Sequence, residues 1–200
     1  EYDPATGIDR TLTFGRRTLD IADFHPAGHR LLIMSMEETP TRRPYAEMGL
    51  YELDTRTLAL DTIVAPTGFL SQATYSPDGK RIAITGAPDL FNGIGRNYGD
   101  HPVGNDYDTQ LFILSRTDGT ITPASRDFHP AIDGAPVWSQ ADSRIYFPVN
   151  EGFSHPLYSY DPRTQAFTRI PMPEGLTIAR GASIPATSPR IAFTAAGDYT

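Results

Sequence analysis

One gap-free pattern occurs four times in this chain and constrains its fold more than any other feature. The copies are DFHPAGHRLLIM from Asp23, TYSPDGKRIAIT from Thr74, VWSQADSRIYFP from Val137 and SIPATSPRIAFT from Ser183. With Phe24, Tyr75, Trp138 and Ile184 as position zero, Arg30, Arg81, Arg144 and Arg190 all stand six residues later. Seven and nine residues on lie Leu31/Ile33, Ile82/Ile84, Ile145/Phe147 and Ile191/Phe193, a period of two that puts both side chains on one face of a strand. Two residues before the anchor the side chains are small, as Ala22, Ala73, Pro136 and Ala182. Ser76-Pro77-Asp78-Gly79 supplies proline where φ is pre-set and glycine where a left-handed residue is wanted, so each copy reads as a β-hairpin.

A second hairpin follows three of the copies: LYELDTRTLALDTIV from Leu50, LFILSRTDGTITPAS from Leu111 and LYSYDPRTQAFTRIP from Leu157. Residues 2–14 align with this second hairpin alone, through Tyr2-Asp3-Pro4 against Tyr160-Asp161-Pro162. The anchors recur every ~53 residues on average, with four strands per repeat and no stretch of helical period, which describes β-propeller blades. A β-sandwich would match the strand count but would not require a recurring motif. The expected fold is therefore all-β: four-stranded antiparallel meanders, about four blades' worth, within a larger ring of six to eight blades. The segmentation read from the repeat is half a blade over 1–17, blades over 18–68, 69–130 and 131–176, and half a blade over 177–200. Pairing of the two half-blades into a tight four-bladed ring is the rival arrangement, because closure removes sheet edges.

Tyr75–Ala83 resembles, nearly letter for letter, the [WFY]-S-P-D-G-K-x-I-A signature of two propeller families. These are the Tol-associated periplasmic propeller protein and the N-terminal propellers of the prolyl oligopeptidase family, dipeptidyl peptidases included. The other copies depart from it: Ala27 replaces the aspartate, Gln140-Ala141-Asp142 lacks the proline and Thr187-Ser188 lacks Asp-Gly. Insertions of unequal length over 36–48, 86–109 and 150–155 favour the peptidase type. That resemblance implies a non-catalytic region gating the access of short peptides to an α/β-hydrolase domain C-terminal in the same parent chain. It also implies a periplasmic or otherwise extracytoplasmic bacterial location. The alternative is a Tol-type scaffold that binds protein partners, and a third reading is a propeller lyase acting on acidic oligosaccharides.

Net charge of −7 gives no basic footprint for nucleic acid or an anionic membrane, and the longest apolar runs of four residues are far too short to span one. With no cysteine, thiolate metal sites and cysteine nucleophiles are excluded. No cofactor is expected. Gly181-Ala182-Ser183-Ile184-Pro185 lacks the second glycine of a nucleophile elbow and lies beside a blade anchor, so no catalytic residue is assigned. His25, His101, His129 and His155 each precede proline, which calls for extended or turn backbone.

The segment 87–109 is the longest without strand pattern, and such loops carry function disproportionately. Its Phe91, Arg96, Tyr98, Asp100, His101 and Tyr107 form a candidate contact loop with aromatic anchors. Glu37 and Glu38 are a candidate anchor for a peptide amine, since the resemblance to dipeptidyl peptidases implies a glutamate pair holding the substrate's amino terminus. The expected partners are thus the hydrolase domain, peptides and a second copy of the chain.

Overall fold

The alternation of side chains along each repeat dictates a stack of sheets, and a computed structural model describing residues 1–15, 17–97 and 108–197 shows how they pack. A short hairpin, β1 (Tyr2–Asp3) and β2 (Ile8–Asp9), comes first. It is followed by a four-stranded antiparallel meander of β3 (Thr18–Phe24), β4 (Arg30–Glu38), β5 (Ala46–Asp54) and β6 (Leu60–Thr67). The second meander is β7 (Leu70–Tyr75), β8 (Arg81–Gly86), β9 (Gln110–Ser115) and β10 (Ile121–Pro123). Between β8 and β9 lies one helical turn, α1 (Leu90–Gly93), in which Phe91 and Asn92 have left-handed backbone at φ 55° and 61°.

The third sheet contains β11 (Ala131–Ile132), β12 (Val137–Trp138), β13 (Ile145–Asn150), β14 (Leu157–Asp161) and β15 (Ala166–Arg169). Its inner strand is split, because β11 and β12 both pair with β13. The break falls at Pro136, which stands where the other copies have alanine and has no N–H to give to a ladder. A final hairpin, β16 (Leu176–Ser183) and β17 (Ala192–Gly197), forms a separate two-stranded sheet. β1–β2 and β16–β17 do not join each other, so the tight four-bladed ring is not formed.

The period of two becomes a packing rule. Ile82 and Ile84 face backward into a core with Leu32, Met34, Leu50 and Val64 of the first meander. Ala83, one residue out of phase, faces forward with Leu111 and Ile113 into a core with Ile132, Trp138, Ile145 and Phe147. Both faces of the middle sheet are therefore covered, and Ile82, Ala83, Ile84 and Phe112 are fully buried. At about 25 cal/mol per Å² of apolar surface removed from water, these two interfaces are the main source of stability.

Polar contacts fix the same order. The Asp23 carboxylate accepts from Thr74 Oγ1 at 2.6 Å and from the Tyr75 amide at 2.8 Å, joining the inner strands of two sheets. The Arg81 guanidinium lies 4.9 Å from the centre of the Trp138 ring, so the arginine of one repeat covers the position-zero aromatic of the next. Arg30 pairs at 3.1 Å with Glu52, whose side chain is only 3% exposed and which Arg116 of the second meander also engages. In each second-hairpin turn an aspartate ties down the backbone: Asp54 and Asp161, at the same repeat position, and Asp118, three residues further on in its copy, accept from the Arg56, Arg163 and Thr120 amides at 2.9, 2.9 and 3.0 Å.

Two outcomes follow from these contacts. Replacing Glu52 by alanine leaves Arg30 and Arg116 without their shared counter-charge and lowers the unfolding free energy by about 3 kcal/mol, with Glu52→Gln intermediate, as read by urea denaturation. The Ser76 hydroxyl, opposed by burial and helped by the Lys80 amide, holds the Asp78 carboxyl below its ordinary 3.8. A depressed folded-state value stabilises the fold above the unfolded value and loses that contribution as pH falls through the folded one. Thermal melts between about pH 5 and about pH 3 therefore show a steeper stability loss for the wild type than for Asp78→Asn.

Candidate functional site

In a meander of four strands, the connection between the second and third strands emerges on the same rim as the link to the next sheet. Residues 39–45, 87–97 and 151–156 and the links 68–69, 124–130 and 170–175 thus share one face of the stack. The first of these loops is braced internally: the Thr39 amide donates to the Tyr45 carbonyl at 2.7 Å, and Thr39 Oγ1 donates to the Pro44 carbonyl. Pro44 packs over the link at Gly68, where a Cβ would sit 2.8 Å from the proline ring. This leaves a cavity of about 700 Å³ bordered by Pro44, Tyr45, Glu47, Pro66 and Phe69. Tyr45 is 58% exposed beside it, with the Arg43 guanidinium 5.6 Å from its ring.

Glu37 and Glu38 close β4 on this rim, opposite Glu47 and Ala46 of β5. Glu37 is held by Arg17 at 2.8 Å and Glu47 by Arg42 at 3.1 Å, so Glu37 enters the site as half of an ion pair. Strand alternation sends Glu37 and Glu38 to opposite faces, and the two do not converge as a pair.

Two of the contact-loop residues are described. Phe91 packs edge-on against Phe112, with ring centres 5.4 Å apart, and closes the top of the first inter-sheet core. Arg96 is exposed and paired with Asp89. Gly95 lies so close to the sheet that a Cβ would meet Gln110 Oε1 at 2.3 Å and Phe112 at 2.9 Å. Asn97 donates its side-chain amide to the Arg126 carbonyl at 2.6 Å. Tyr98, Asp100, His101 and Tyr107 lie outside the described residues.

Two rim features are invisible to motif reading. Phe153 is fully exposed on the third loop, which Glu151 steadies through Tyr158 and through Arg169 at 3.3 Å. His155 puts Nδ1 2.8 Å from the Asp133 carboxylate, while its backbone amide donates to Thr177 and its carbonyl accepts from Ala179, both at 2.8 Å. Asp133 occupies the break in the inner strand 22 residues away, so no local spacing announces this pair. Among the described residues no three His, Asp or Glu gather in a way that could hold a metal ion. Ser183 ends β16, opposite Ala192, on strand rather than on a strand-to-helix turn. No helix among the described residues is long and apolar enough to cross a membrane.

Stacked antiparallel meanders with their loops gathered on one rim define a β-propeller, and the comparison with solved structures agrees. TolB from Acinetobacter baumannii superposes with a TM-score of 0.66 at 16% identity, over 94% of this chain and 40% of its own. An oligogalacturonate lyase from Vibrio parahaemolyticus gives 0.61 at 12% identity, over 89% of this chain and 48% of its own. Dipeptidyl peptidase 4 from Porphyromonas gingivalis gives 0.55 at 14% identity, over 98% of this chain and 33% of its own. The chain thus spans less than half the length of each of these propeller proteins. No protein-family profile and no curated protein sequence matches it.

The tight seat of Gly95 carries a prediction. Gly95→Ala forces the 87–97 segment off Gln110 and Phe112 and costs roughly 1–3 kcal/mol in chemical denaturation, whereas Ala substitution of exposed Phe153 stays within about 0.5 kcal/mol of wild type.

Proposed function

We propose that this chain is the non-catalytic propeller region of a prolyl oligopeptidase-like serine peptidase of an extracytoplasmic compartment, with the hydrolase outside residues 1–200. The observation that carries the reading is the rim: loops of unequal length, two of them with solvent-facing aromatics at Tyr45 and Phe153, on a scaffold with no nucleophile elbow in its sequence. Exposed rings with few rotatable bonds make contacts at low entropic cost. A rim of this kind selects by exclusion: it admits short peptides past the loops and leaves the chemical barrier to the hydrolase.

The reading is tested on protein immunoprecipitated from its source with an antibody against this domain, then treated with a fluorophosphonate probe. A labelled chain several times heavier than 22.0 kDa is expected. An unlabelled chain overturns the peptidase reading and favours a Tol-type scaffold. In the labelled enzyme, Tyr45→Ala with Phe153→Ala raises kcat/KM for long peptides several-fold relative to short ones, leaving kcat on a dipeptide substrate unchanged. Equal effects on all lengths would count against gating.

A further inference from the structure

The first of the repeated turns is pinned by a different chemistry from the next two. In the second copy the Asp78 carboxylate accepts from the Ser76 hydroxyl at 2.6 Å and from the Lys80 amide at 3.1 Å. In the third, Asp142 accepts from the Arg144 amide and Ser139 Oγ from the Ala141 amide, both at 3.2 Å. The first copy, His25-Pro26-Ala27-Gly28-His29, has neither a carboxylate nor a hydroxyl. His25 stands where the others have Ser76 and Ser139, and its Nδ1 accepts from the Ala27 amide at 3.1 Å, as Ser139 Oγ accepts from Ala141. An accepting ring nitrogen carries no proton, so this bond exists only while the imidazole is neutral. His29 puts Nδ1 3.2 Å from the Ala27 carbonyl, a bond that the nitrogen donates and that survives protonation. The far side of the His25 ring lies against the second sheet. A Cβ on Gly79 would sit 2.2 Å from Nε2, and the ring meets Tyr75 edge-on with centres 4.8 Å apart.

We propose that His25 is a proton-operated latch between the first two sheets, closed while its ring is neutral and opened when Nδ1 takes a proton from solvent. Protonation removes the acceptor of the Ala27 amide and adds a cation beside Arg30 and Arg116. The charged and titratable groups about the ring are His29 and Arg30 of its own hairpin, Asp23 of β3, Glu52 of β5, Tyr75 of β7, Asp78 and Lys80 on either side of Gly79, and Arg116 of the β9–β10 turn. The acids among them are already engaged: Asp23 by Thr74 and Tyr75, Asp78 by Ser76 and Lys80, and Glu52 by Arg30 and Arg116. Burial holds the ring below its ordinary 6.5; a hydrogen bond with the Gly79 backbone opposes this, and the charges of Arg30, Arg116 and His29 add to it. With a depressed folded-state value, the contribution of the latch is complete above 6.5 and is lost as pH falls through the folded value. The turn rim then opens between residues 25–30 and 76–81, while the apolar cores on both faces of the middle sheet stay packed. The inference does not rest on the peptidase reading.

The test uses the whole natural chain and two readouts. Amide hydrogen exchange, followed by mass spectrometry and corrected for the intrinsic rate, is compared at about pH 7.5 and about pH 5.5. Opening of residues 25–30 and 76–81 is expected to rise several-fold at the lower pH while that of β8 does not. His25→Ser, which installs the residue of the next two copies, is expected to flatten this dependence, and His29→Gln, which keeps a donor to the Ala27 carbonyl, to preserve it. In the wild type, NMR of selectively labelled histidine and alanine is expected to show the His25 ring and the Ala27 amide titrating together, with a midpoint below 6.5. Exchange that does not change with pH, that changes equally in wild type and His25→Ser, or that loses its dependence in His29→Gln overturns the latch. So does an Ala27 amide that titrates apart from the ring, or a midpoint at or above 6.5. The titration needs no variant and decides the matter if His25→Ser fails to fold, and fluorophosphonate labelling, which fails independently, bears only on the proposed function.

Discussion

Everything in this structure depends on sheets that are apolar on both faces. A strand that sends Ile82 and Ile84 one way and Ala83 the other cannot lie against solvent on either side, so each sheet needs two neighbours. Backbone ladders hold strands within a sheet, and side chains hold sheet to sheet. Stability is accordingly distributed as nearest-neighbour terms along a line, with Asp23, Glu52 and Arg81 setting the relative placement that apolar contact alone would leave loose.

This arrangement also separates scaffold from function. The hairpin turns on one rim are short and most are locked by aspartate, while the connections on the other differ in length from copy to copy. Loops leaving a finished ladder can vary at little cost to the fold, so binding chemistry is free to gather there. His155 shows the two roles meeting. Its backbone ties β16 to the third sheet, while its ring reaches the Asp133 carboxylate in the gap of a broken strand.

The blades were legible in the sequence because their determinants are local and repeated: a period of two, a turn every hairpin, and an arginine at a constant offset. The split of the third inner strand was latent in Pro136 but needed the ladder to be seen. The rim was much less legible. Phe91 reads as an exposed anchor by its place in a glycine-rich loop, yet its left-handed backbone turns the ring down onto Phe112. Glu37 reads as half of a paired acid, but strand alternation parts it from Glu38 and Arg17 claims it. Phe153, with no motif about it, stands wholly in solvent. Contacts set by tertiary neighbours 20 or more residues apart leave no trace in spacing, and the Asp133–His155 pair at a separation of 22 is of that kind.

The reach of Arg81 onto Trp138 has a bearing on how such chains are inherited. A repeat cut at its sheet boundaries carries an arginine without its ring and a ring without its arginine. A span cut between the aromatic and the arginine that follows it has both ends ready to be used by whatever lies next to them. Exchange of the third blade is then tolerated where the incoming neighbour offers a flat aromatic at that one place, whereas the junction before it asks for partners to Asp23 and Glu52 instead.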